Sequence, residues 1–246
     1  MSGILYLVAT PIGNLEDITL RAIRILKEAD IVVAEDTRQT LKLLNHLEMQ
    51  KHLISYHRHS GEDKVREIIE ELKSGKNIAL VSDAGTPVIS DPGEEIVKEA
   101  LKNEIAVIPI PGPCALITAL IASGIDAKEF SFLGFLPLNK KFRKEKFNEI
   151  QTAINTVILY EAPHKLLSTL NALKNVTLNR KIVLARELTK IHEEFIMGTA
   201  EELLEKIIEP RGEYVIIIEK QEQISQDIFE NMTLEEHYKY YESLRI

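Results

Sequence analysis

Short apolar runs alternate with amphipathic helical patterns through the first half of the sequence, and no other feature limits the possible folds as strongly. The runs are rich in β-branched residues and bounded by Gly, Pro, Asp or Asn, which is typical of buried strands. They predict strands over residues 4–9, 31–34, 53–55, 77–81 and 105–110. Helices are predicted over residues 18–28, 37–47, 64–73 and 92–102, the last with Pro92 in its first turn. This alternation indicates an α/β fold with a mainly parallel sheet that helices cover on both faces.

A proline-rich segment, residues 109–113, divides the sequence. It holds three prolines in five residues, which neither a helix nor a strand is expected to continue. We therefore predict an N-terminal α/β domain over residues 1–112 and a C-terminal α/β domain over residues 113–222, followed by a short tail over residues 223–246.

The second domain is predicted to begin with a helix over residues 114–123. Further helices are expected over residues 141–152, 164–174 and 199–208, and strands over residues 129–134, 155–160, 181–186, 192–198 and 213–219. Two of these strands, 181–186 and 192–198, follow each other without a helix between them. The second sheet is therefore predicted to be mixed.

The composition is typical of a soluble globular protein, with 45% apolar and 28% charged residues. Cys114 is the only cysteine, which excludes an intramolecular disulfide. The sequence shows neither a signal peptide nor an apolar stretch of membrane-spanning length, so we expect a cytoplasmic protein. The formal net charge of −8 argues against a nucleic-acid partner unless positive charge is concentrated locally.

Three loops follow predicted strands of the first domain, at residues 9–14, 34–38 and 82–93, and a fourth, 109–115, lies at the domain junction. The carboxyl ends of parallel strands form the edge at which α/β proteins bind ligands, so we predict a ligand site there. Neither a G-x-G-x-x-G fingerprint nor a P-loop is present, and the residues alone do not name the ligand. On residue types alone, loop 82–93 is a plain strand-to-helix connection, although its length and position favour a function.

The histidines do not form a metal-binding pattern. His57 and His59, even together with Cys114, do not make a zinc set. His192 begins an apparent H-E-x-x-H motif, but the second histidine position holds Ile196. We therefore predict no metal site.

Seven segments, taken in order, resemble those of the 16S ribosomal RNA (cytidine-2′-O)-methyltransferases, a family of the tetrapyrrole methylase superfamily. The segments are residues 8–19, 34–38, 79–93, 109–115, 134–137, 160–161 and 185–190. The resemblance covers about residues 3–220. It implies S-adenosylmethionine as methyl donor, a homodimer with the cofactor between the two domains, and methylation of a cytidine ribose 2′-hydroxyl in the decoding region of 16S rRNA.

The resemblance also implies which residues contact the cofactor. They are Pro11, Thr86, Ile89, Cys114, Ala115, Tyr160, Arg186, Glu187, Glu213 and Tyr214. Ile89 and Ala115 could equally pack in the core, which is compatible with lining an apolar pocket.

Methyl transfer to a ribose hydroxyl requires alignment of the reacting atoms and an acceptor for the hydroxyl proton. Carboxylates at the sheet edge suit both the proton and the positively charged sulfonium. We predict Asp83 and Asp36 as the first candidates, with Glu161 across the cleft and Glu35 beside them. Capping of the following helix is the alternative role for Asp83 and Asp36. Arg38 is a candidate phosphate ligand.

The strongest local source of positive charge is residues 140–146, with five cations in seven residues. We predict RNA-backbone contacts from Lys140, Lys141, Arg143 and Lys144, the alternative being a solvated helix face. In the family, a basic helical segment follows the last strand. Here, residues 233–241 resemble only the start of that segment. The assembled small ribosomal subunit is then a plausible substrate, and the choice between it and free rRNA stays open.

Two other functions stay open at this point. The first is a methyltransferase for a small corrin-type precursor, which the acidic composition suits. The second is a ribosome-assembly factor that keeps the cofactor fold without catalysis.

Overall fold

A computed structural model of the chain describes residues 2–221 and residue 233. The first five strands form one parallel sheet, as predicted, and they lie side by side in the order third, second, fourth, first and fifth. The strands are β1 Ile4–Val8, β2 Ile31–Ala34, β3 His52–Ser55, β4 Ile78–Val81 and β5 Ala106–Ile110. Each prediction agrees with its strand to within one residue at either end.

Helices cover both faces of this sheet. They are α1 Leu20–Glu28, α2 Thr37–His46, α3 Glu62–Lys73 and α4 Glu94–Lys102, with a short 3-10 helix at Leu15–Asp17. Alternate strand residues point to opposite faces. Leu5 and Val33 pack with α3 and α4, whereas Val8 and Val32 pack with α1. The predicted two-sided covering is therefore confirmed.

Two expectations about prolines are wrong. Helix α4 begins at Glu94 rather than at Pro92, because Gly93 at its N-cap has a φ of 133°, which is not helical. Pro109 lies inside β5, where it pairs with Leu7 of β1. The carbonyl of the next residue, Ile110, accepts the bond from the N–H of Ala9, so Ile110 faces β1. Pro109 therefore faces the outer edge of the sheet, where a missing N–H leaves no gap in the ladder.

The second sheet has the order β6-β7-β10-β8-β9. Only β6 and β7 are parallel, so the prediction of a mixed sheet is confirmed. Its strands are β6 Phe130–Phe135, β7 Thr156–Glu161, β8 Ile182–Arg186, β9 Glu194–Gly198 and β10 Tyr214–Ile218. Its helices are α5 Ala115–Ala122, α6 Lys140–Gln151, α7 Pro163–Thr177 and α8 Ala200–Lys206.

The two faces of the second sheet have different neighbours. Leu166 and Leu170 of α7 and Leu203 of α8 pack on one face. Leu116 and Leu120 of α5 pack on the other, in a cluster that also includes Ile12 of the first half. This second cluster brings the loop after β1 against the second sheet.

All strands of the first sheet lie before residue 111, and all strands of the second sheet lie after residue 129. The domain division at residues 112 and 113 stays a prediction. The predicted tail, including the helical start at 233–241, lies outside the described residues except for Thr233. In the described part of the chain, no helix is long and apolar enough to span a membrane.

Helix α1 offers a matched test of the first core. Leu26 is fully buried between α1 and the sheet, whereas Leu20 in the same helix is 86% exposed. Leu26→Ala is expected to lower the free energy of unfolding by about 2–5 kcal/mol, because it leaves a cavity. Leu20→Ala should change it by less than about 0.5 kcal/mol. Urea unfolding followed by circular dichroism measures both, and equal losses would contradict the packing described here.

Candidate functional site

A cavity of about 490 Å³ is lined by residues from both halves of the chain. From the first half, its wall is formed by the loops after β1, β2 and β4, and the start of α5 adds Cys114 and Ala115 from the second half. From the second half, it is formed by the ends of β6, β7 and β8 and the start of β10. The lining includes Glu35, Asp83, Thr86, Ile89, Asp91, Cys114, Ala115, Phe135, Tyr160, Glu161, Leu188, Lys190, Glu213, Tyr214 and Val215.

Hydrogen bonds connect all four predicted loops, and the loop after β2 takes part through the N–H of Asp36, which donates to the Asp83 carboxylate. The N–H of Thr10 donates to the carbonyl of Gly85 over 2.9 Å, and the N–H of Gly85 donates back over 3.0 Å. The hydroxyl of Thr86 donates to the carbonyl of Pro113 over 3.0 Å. The long loop after β4 is therefore held between the loop after β1 and the domain junction.

The same loop has strained backbone on both sides of Ile89. Val88 has a φ of 74° and Ser90 a φ of 67°. This left-handed region is unfavourable for a β-branched residue such as Val. The guanidinium of Arg58, in the loop after β3, donates to the carbonyl of Ser90. The strain and this bond place Ile89 and Asp91 in the cavity wall.

Three carboxylates from the first half of the chain, those of Glu35, Asp83 and Asp91, line the cavity. Burial raises the pKa of Asp91 to about 7, and the negative charges of Glu35 and Asp83 add to the effect. Burial likewise raises the pKa of Glu35, with a further contribution from Asp83. Sequence reasoning missed Asp91, because Asp-Pro looked like the start of a helix. The only signal was its place in the long loop 82–93.

Asp36 has a capping role in the structure. Its carboxylate accepts from the N–H of Arg38 over 2.9 Å and pairs with the guanidinium of Arg38 over 2.7 Å. These bonds lower its pKa to about 2. Its own N–H donates to the Asp83 carboxylate over 2.9 Å. Asp36 is not among the described residues that line the cavity, and its low pKa makes it a weak proton acceptor at neutral pH.

Tyr160 lies in the part of the cavity wall that the second half of the chain forms. Its hydroxyl accepts from the N–H of Leu116 over 3.2 Å, and its ring meets those of Phe132 and Phe135 edge-on. Burial, and then the neighbouring Cys114, raises the pKa of Tyr160 to about 12. The phenol therefore stays neutral and fixes the start of α5. Cys114 and Ala115 line the cavity there, and the cofactor contact that the resemblance implies for them stays a prediction.

Glu161 is a buried member of the wall. One carboxylate oxygen accepts from the N–H of Ala162 over 3.0 Å, and the other accepts from the hydroxyl of Thr169 over 2.5 Å. The Thr169 oxygen in turn accepts from the guanidinium of Arg143 over 2.8 Å. Glu161 is thus satisfied by neighbours, which favours a positioning role.

The part of the cavity next to β10 includes two of the residues that the resemblance implies as cofactor contacts. Glu213 and Tyr214 line it, together with Leu188 and Val215, which sequence reasoning missed. Lys190 pairs with Glu213 over 2.9 Å and with Glu187 over 2.8 Å.

Arg186 and Glu187 are not among the described lining residues. Arg186 donates to the carbonyl of Arg211 over 3.0 Å and pairs with Glu194 over 2.7 Å. Glu187 accepts from the N–H of Glu213 over 3.0 Å. Both brace the strand ends behind the cavity, and their predicted contact with the cofactor stays a prediction.

Gly13 lies where the loop after β1 contacts the second half of the chain. A Cβ at this position would lie 2.5 Å from Cγ of Lys190, 2.7 Å from Oγ1 of Thr189 and 2.9 Å from the carbonyl oxygen of Leu188. Only glycine fits this approach. The neighbouring Ile12 lines the cavity, whereas Pro11 is not among the described lining residues, so its cofactor contact stays a prediction.

The residues predicted to bind RNA divide into two groups. Lys140, Lys141 and Lys144 are exposed on α6. Arg143 is half-buried, with its guanidinium bonded to Thr169 and placed 5.3 Å from the centre of a neighbouring phenylalanine ring. The structure therefore gives Arg143 an internal role. Arg38 is exposed but paired with Asp36.

Sequence comparison identifies close relatives. The sequence model of the family described as Tetrapyrrole (Corrin/Porphyrin) Methylases matches residues 4–204. The protein named ribosomal RNA small subunit methyltransferase I from Halalkalibacterium halodurans is 53% identical over 219 residues, which are 88% of this chain and 76% of that protein. The protein of the same name from Bacillus subtilis is 49% identical over 245 residues, 97% of this chain and 84% of that protein.

Structure comparison extends the likeness to more distant proteins. The crystal structure of a uroporphyrin-III C-methyltransferase from Thermus thermophilus, complexed with S-adenyl homocysteine, has a TM-score of 0.64. It is 18% identical, and the match covers 88% of this chain and 97% of that one. At this identity, the likeness concerns the fold alone.

Proposed function

The chain belongs to the tetrapyrrole methylase family and, within it, to the ribosomal RNA small subunit methyltransferase I family, and on this basis we propose that it methylates small-subunit ribosomal RNA. The proposed acceptor is the ribose 2′-hydroxyl of a cytidine in the decoding region of 16S rRNA, and the proposed donor is S-adenosylmethionine. The observation that carries the proposal is the 53% identity over 88% of the chain. A function in the cytoplasm follows from this substrate.

The cavity residues fit the proposed donor. Its volume of about 490 Å³ is within the range of cofactor pockets. Leu188, Tyr214 and Val215 form an apolar end suited to a nucleoside, and the carboxylates of Glu35, Asp83 and Asp91 suit a nearby cation. When bound, S-adenosylmethionine would supply a methyl group on a positively charged sulfonium. We propose Thr86, Ile89, Cys114, Ala115, Tyr160, Glu213 and Tyr214 as its binding residues.

Asp91 is the proposed acceptor of the ribose proton. A general base works best when its pKa lies near the working pH, and the Asp91 pKa of about 7 meets this condition. Asp83 lies beside it as the second candidate, held by the N–H of Asp36. Glu161 and Tyr160 hold the opposite wall in place, and such positioning supplies a large share of the acceleration of a transfer reaction.

The cations of α6 are the proposed contacts for the RNA backbone. Lys140, Lys141 and Lys144 give an acidic chain a local positive surface. Electrostatic attraction of phosphate depends on such local charge and not on the net charge of −8.

A homodimer is also proposed. Helix α5 is apolar around its circumference, and Ile121 is 75% exposed with Ile117 one turn before it. A second copy of the chain would bury this face. Ile121→Glu is expected to shift the chain towards a monomer, as measured by light scattering during gel filtration. An unchanged mass would place the dimer contact elsewhere.

The function is tested with radiolabelled S-adenosylmethionine and small ribosomal subunits that lack the modification. Label is expected in 16S rRNA at a cytidine ribose, identified by its resistance to alkaline cleavage. Free 16S rRNA and a corrin precursor serve as competing substrates in parallel reactions. Label in the corrin precursor alone would favour the small-molecule enzyme. Cofactor binding without transfer to any substrate would favour an assembly factor.

A further inference from the structure

An apolar and cationic surface follows β6 at the mouth of the cavity, and the proposed function does not by itself account for its apolar part. We call it the rim surface. It consists of Phe135, Leu138, Phe142, Lys140, Lys141 and Lys144. Leu138 is 79% exposed, and Phe135 and Phe142 are each 54% exposed. Large apolar side chains so close together on a surface are typical of a binding site.

Both ends of this segment are attached to the cavity wall. Phe135 lines the cavity and packs edge-on against Tyr160, with 5.6 Å between the ring centres. At the other end, Arg143 is linked through the hydroxyl of Thr169 to the Glu161 carboxylate, which also lines the cavity. The exposed residues between these two anchors therefore lie at the rim of the cavity.

The lysines of the rim surface are available to a ligand. In the described part of the chain, no ion pair engages Lys140, Lys141 or Lys144, whereas the next lysine of the helix, Lys146, pairs with Glu149 over 2.7 Å. The amide groups at the start of α6 add partial positive charge. Positive charge on this side favours an anionic ligand.

Resting on the proposed function, we propose that the rim surface binds unpaired nucleotides of the ribosomal RNA next to the target ribose. The rings of Phe135 and Phe142 stack on the bases, and the lysines contact the phosphates. Aromatic rings interleaved with cations are how proteins hold single-stranded nucleic acid. The substrate segment at the cavity would then be unstacked rather than helical.

The charge of the rim surface also argues against a second copy of the chain as its occupant. A symmetric dimer through this surface would bring the three lysines of both copies into one interface. Such juxtaposition of like charges is unfavourable, whereas phosphates would neutralise the lysines.

The test compares Phe142→Ala, Phe142→Trp and the matched control Phe130→Ala, which alters a partly exposed phenylalanine at the opposite end of β6. Fluorescence anisotropy gives the affinity for labelled oligocytidylate, single-stranded or annealed to its complement. Phe142→Ala is expected to weaken single-strand binding about tenfold, the effect of losing one stacked base. Phe142→Trp should restore it, and Phe130→Ala should leave it unchanged. The affinity for S-adenosylhomocysteine should be the same in all variants.

Three results would overturn the inference: unchanged single-strand affinity in Phe142→Ala, a wild-type preference for the duplex, or a change in oligomeric state caused by Phe142→Ala. Methyl transfer to small subunits separates this inference from the proposed function. If Phe142→Ala labels the subunits as fast as the wild type does, the inference fails and the proposed function stands. If the wild type labels no subunits, the proposed function fails, and the oligonucleotide affinities still decide whether the rim surface stacks on RNA bases.

Discussion

Replacement of Asp91 with Asn is expected to reduce kcat for methyl transfer about 10²- to 10⁴-fold, the range that general base catalysis contributes. Asn keeps the shape of the side chain and cannot accept the proton. The rate is measured with radiolabelled S-adenosylmethionine and small subunits that lack the modification. Asp63→Asn, which alters an exposed carboxylate paired with Arg66 on α3, is the control and should keep full activity.

The pH dependence of the wild type provides a second measurement. Asp91 must be deprotonated to act, so kcat/KM is expected to rise with pH and to level off above an apparent pKa near 7. Burial raises this pKa most, the charges of Glu35 and Asp83 raise it further, and Arg58 and a hydrogen bond with Ser82 lower it. The Asn variant should lack this rise. If Asp83→Asn loses more activity than Asp91→Asn does, the role of proton acceptor moves to Asp83.

The same substitution should stabilise the fold. The pKa of Asp91 is about 7 in the folded protein, against an ordinary value of 3.8. As pH rises through this interval, the unfolded chain gives up the proton first, and the free energy of unfolding falls. Above pH 7, the folded protein carries a charge that its surroundings disfavour. Asp91→Asn removes this charge and is expected to melt at a higher temperature than the wild type there.

Gly13→Ala is expected to lower kcat/KM about 100-fold, the effect of a misplacement of about 1 Å between reacting groups. The added methyl would lie within 3 Å of Thr189, of Lys190 and of the backbone of Leu188. The backbone carbonyl cannot rotate away, so the loop after β1 must move off the second half of the chain. Affinity for S-adenosylhomocysteine, measured by calorimetry, should fall as well, because Ile12 and Leu188 both line the cavity.

Gly61→Ala is the matched control for this substitution. A Cβ at Gly61 meets nothing within 4 Å. The change should leave cofactor affinity intact, and the loss of a glycine N-cap on α3 is expected to cost up to about 1 kcal/mol of stability. Wild-type affinity in Gly13→Ala would mean that the contact at Gly13 is not needed to form the cavity.

The strands and helices could be predicted because each depends on its own local pattern. The buried strand β2 was predicted at Ile31–Ala34, the bounds that the structure shows, since its four residues are all apolar and buried. Pro92 and Pro109 were misjudged for the opposite reason. Their effect depends on the φ of Gly93 and on the position of β5 at the edge of the sheet, neither of which a local pattern contains.

The sequence predicted which loops form the candidate site, but it did not predict what each side chain in those loops does. The edge formed by loops 9–14, 34–38 and 82–93 was expected because each loop follows the carboxyl end of a predicted parallel strand. Asp36 and Asp91 look alike in the sequence, but the pKa of Asp36 is lowered to about 2 and the pKa of Asp91 is raised to about 7. Arg38 lowers the first and burial raises the second. Arg143 likewise looked free for RNA, because its partner Thr169 lies 26 positions further along the chain.

The outward-facing Pro109 has a consequence for the behaviour of the chain in solution. Strand β5 ends the first sheet, and an open edge of this kind can pair with a strand of another molecule and start aggregation. In β5, residues 107 and 109 face outward, and Pro109 has no N–H to offer. A strand of another molecule that paired with this edge would need N–H donors from residues 107 and 109 of β5. Only residue 107 has one. The proline that interrupts the sequence pattern therefore also protects the sheet from edge-to-edge growth.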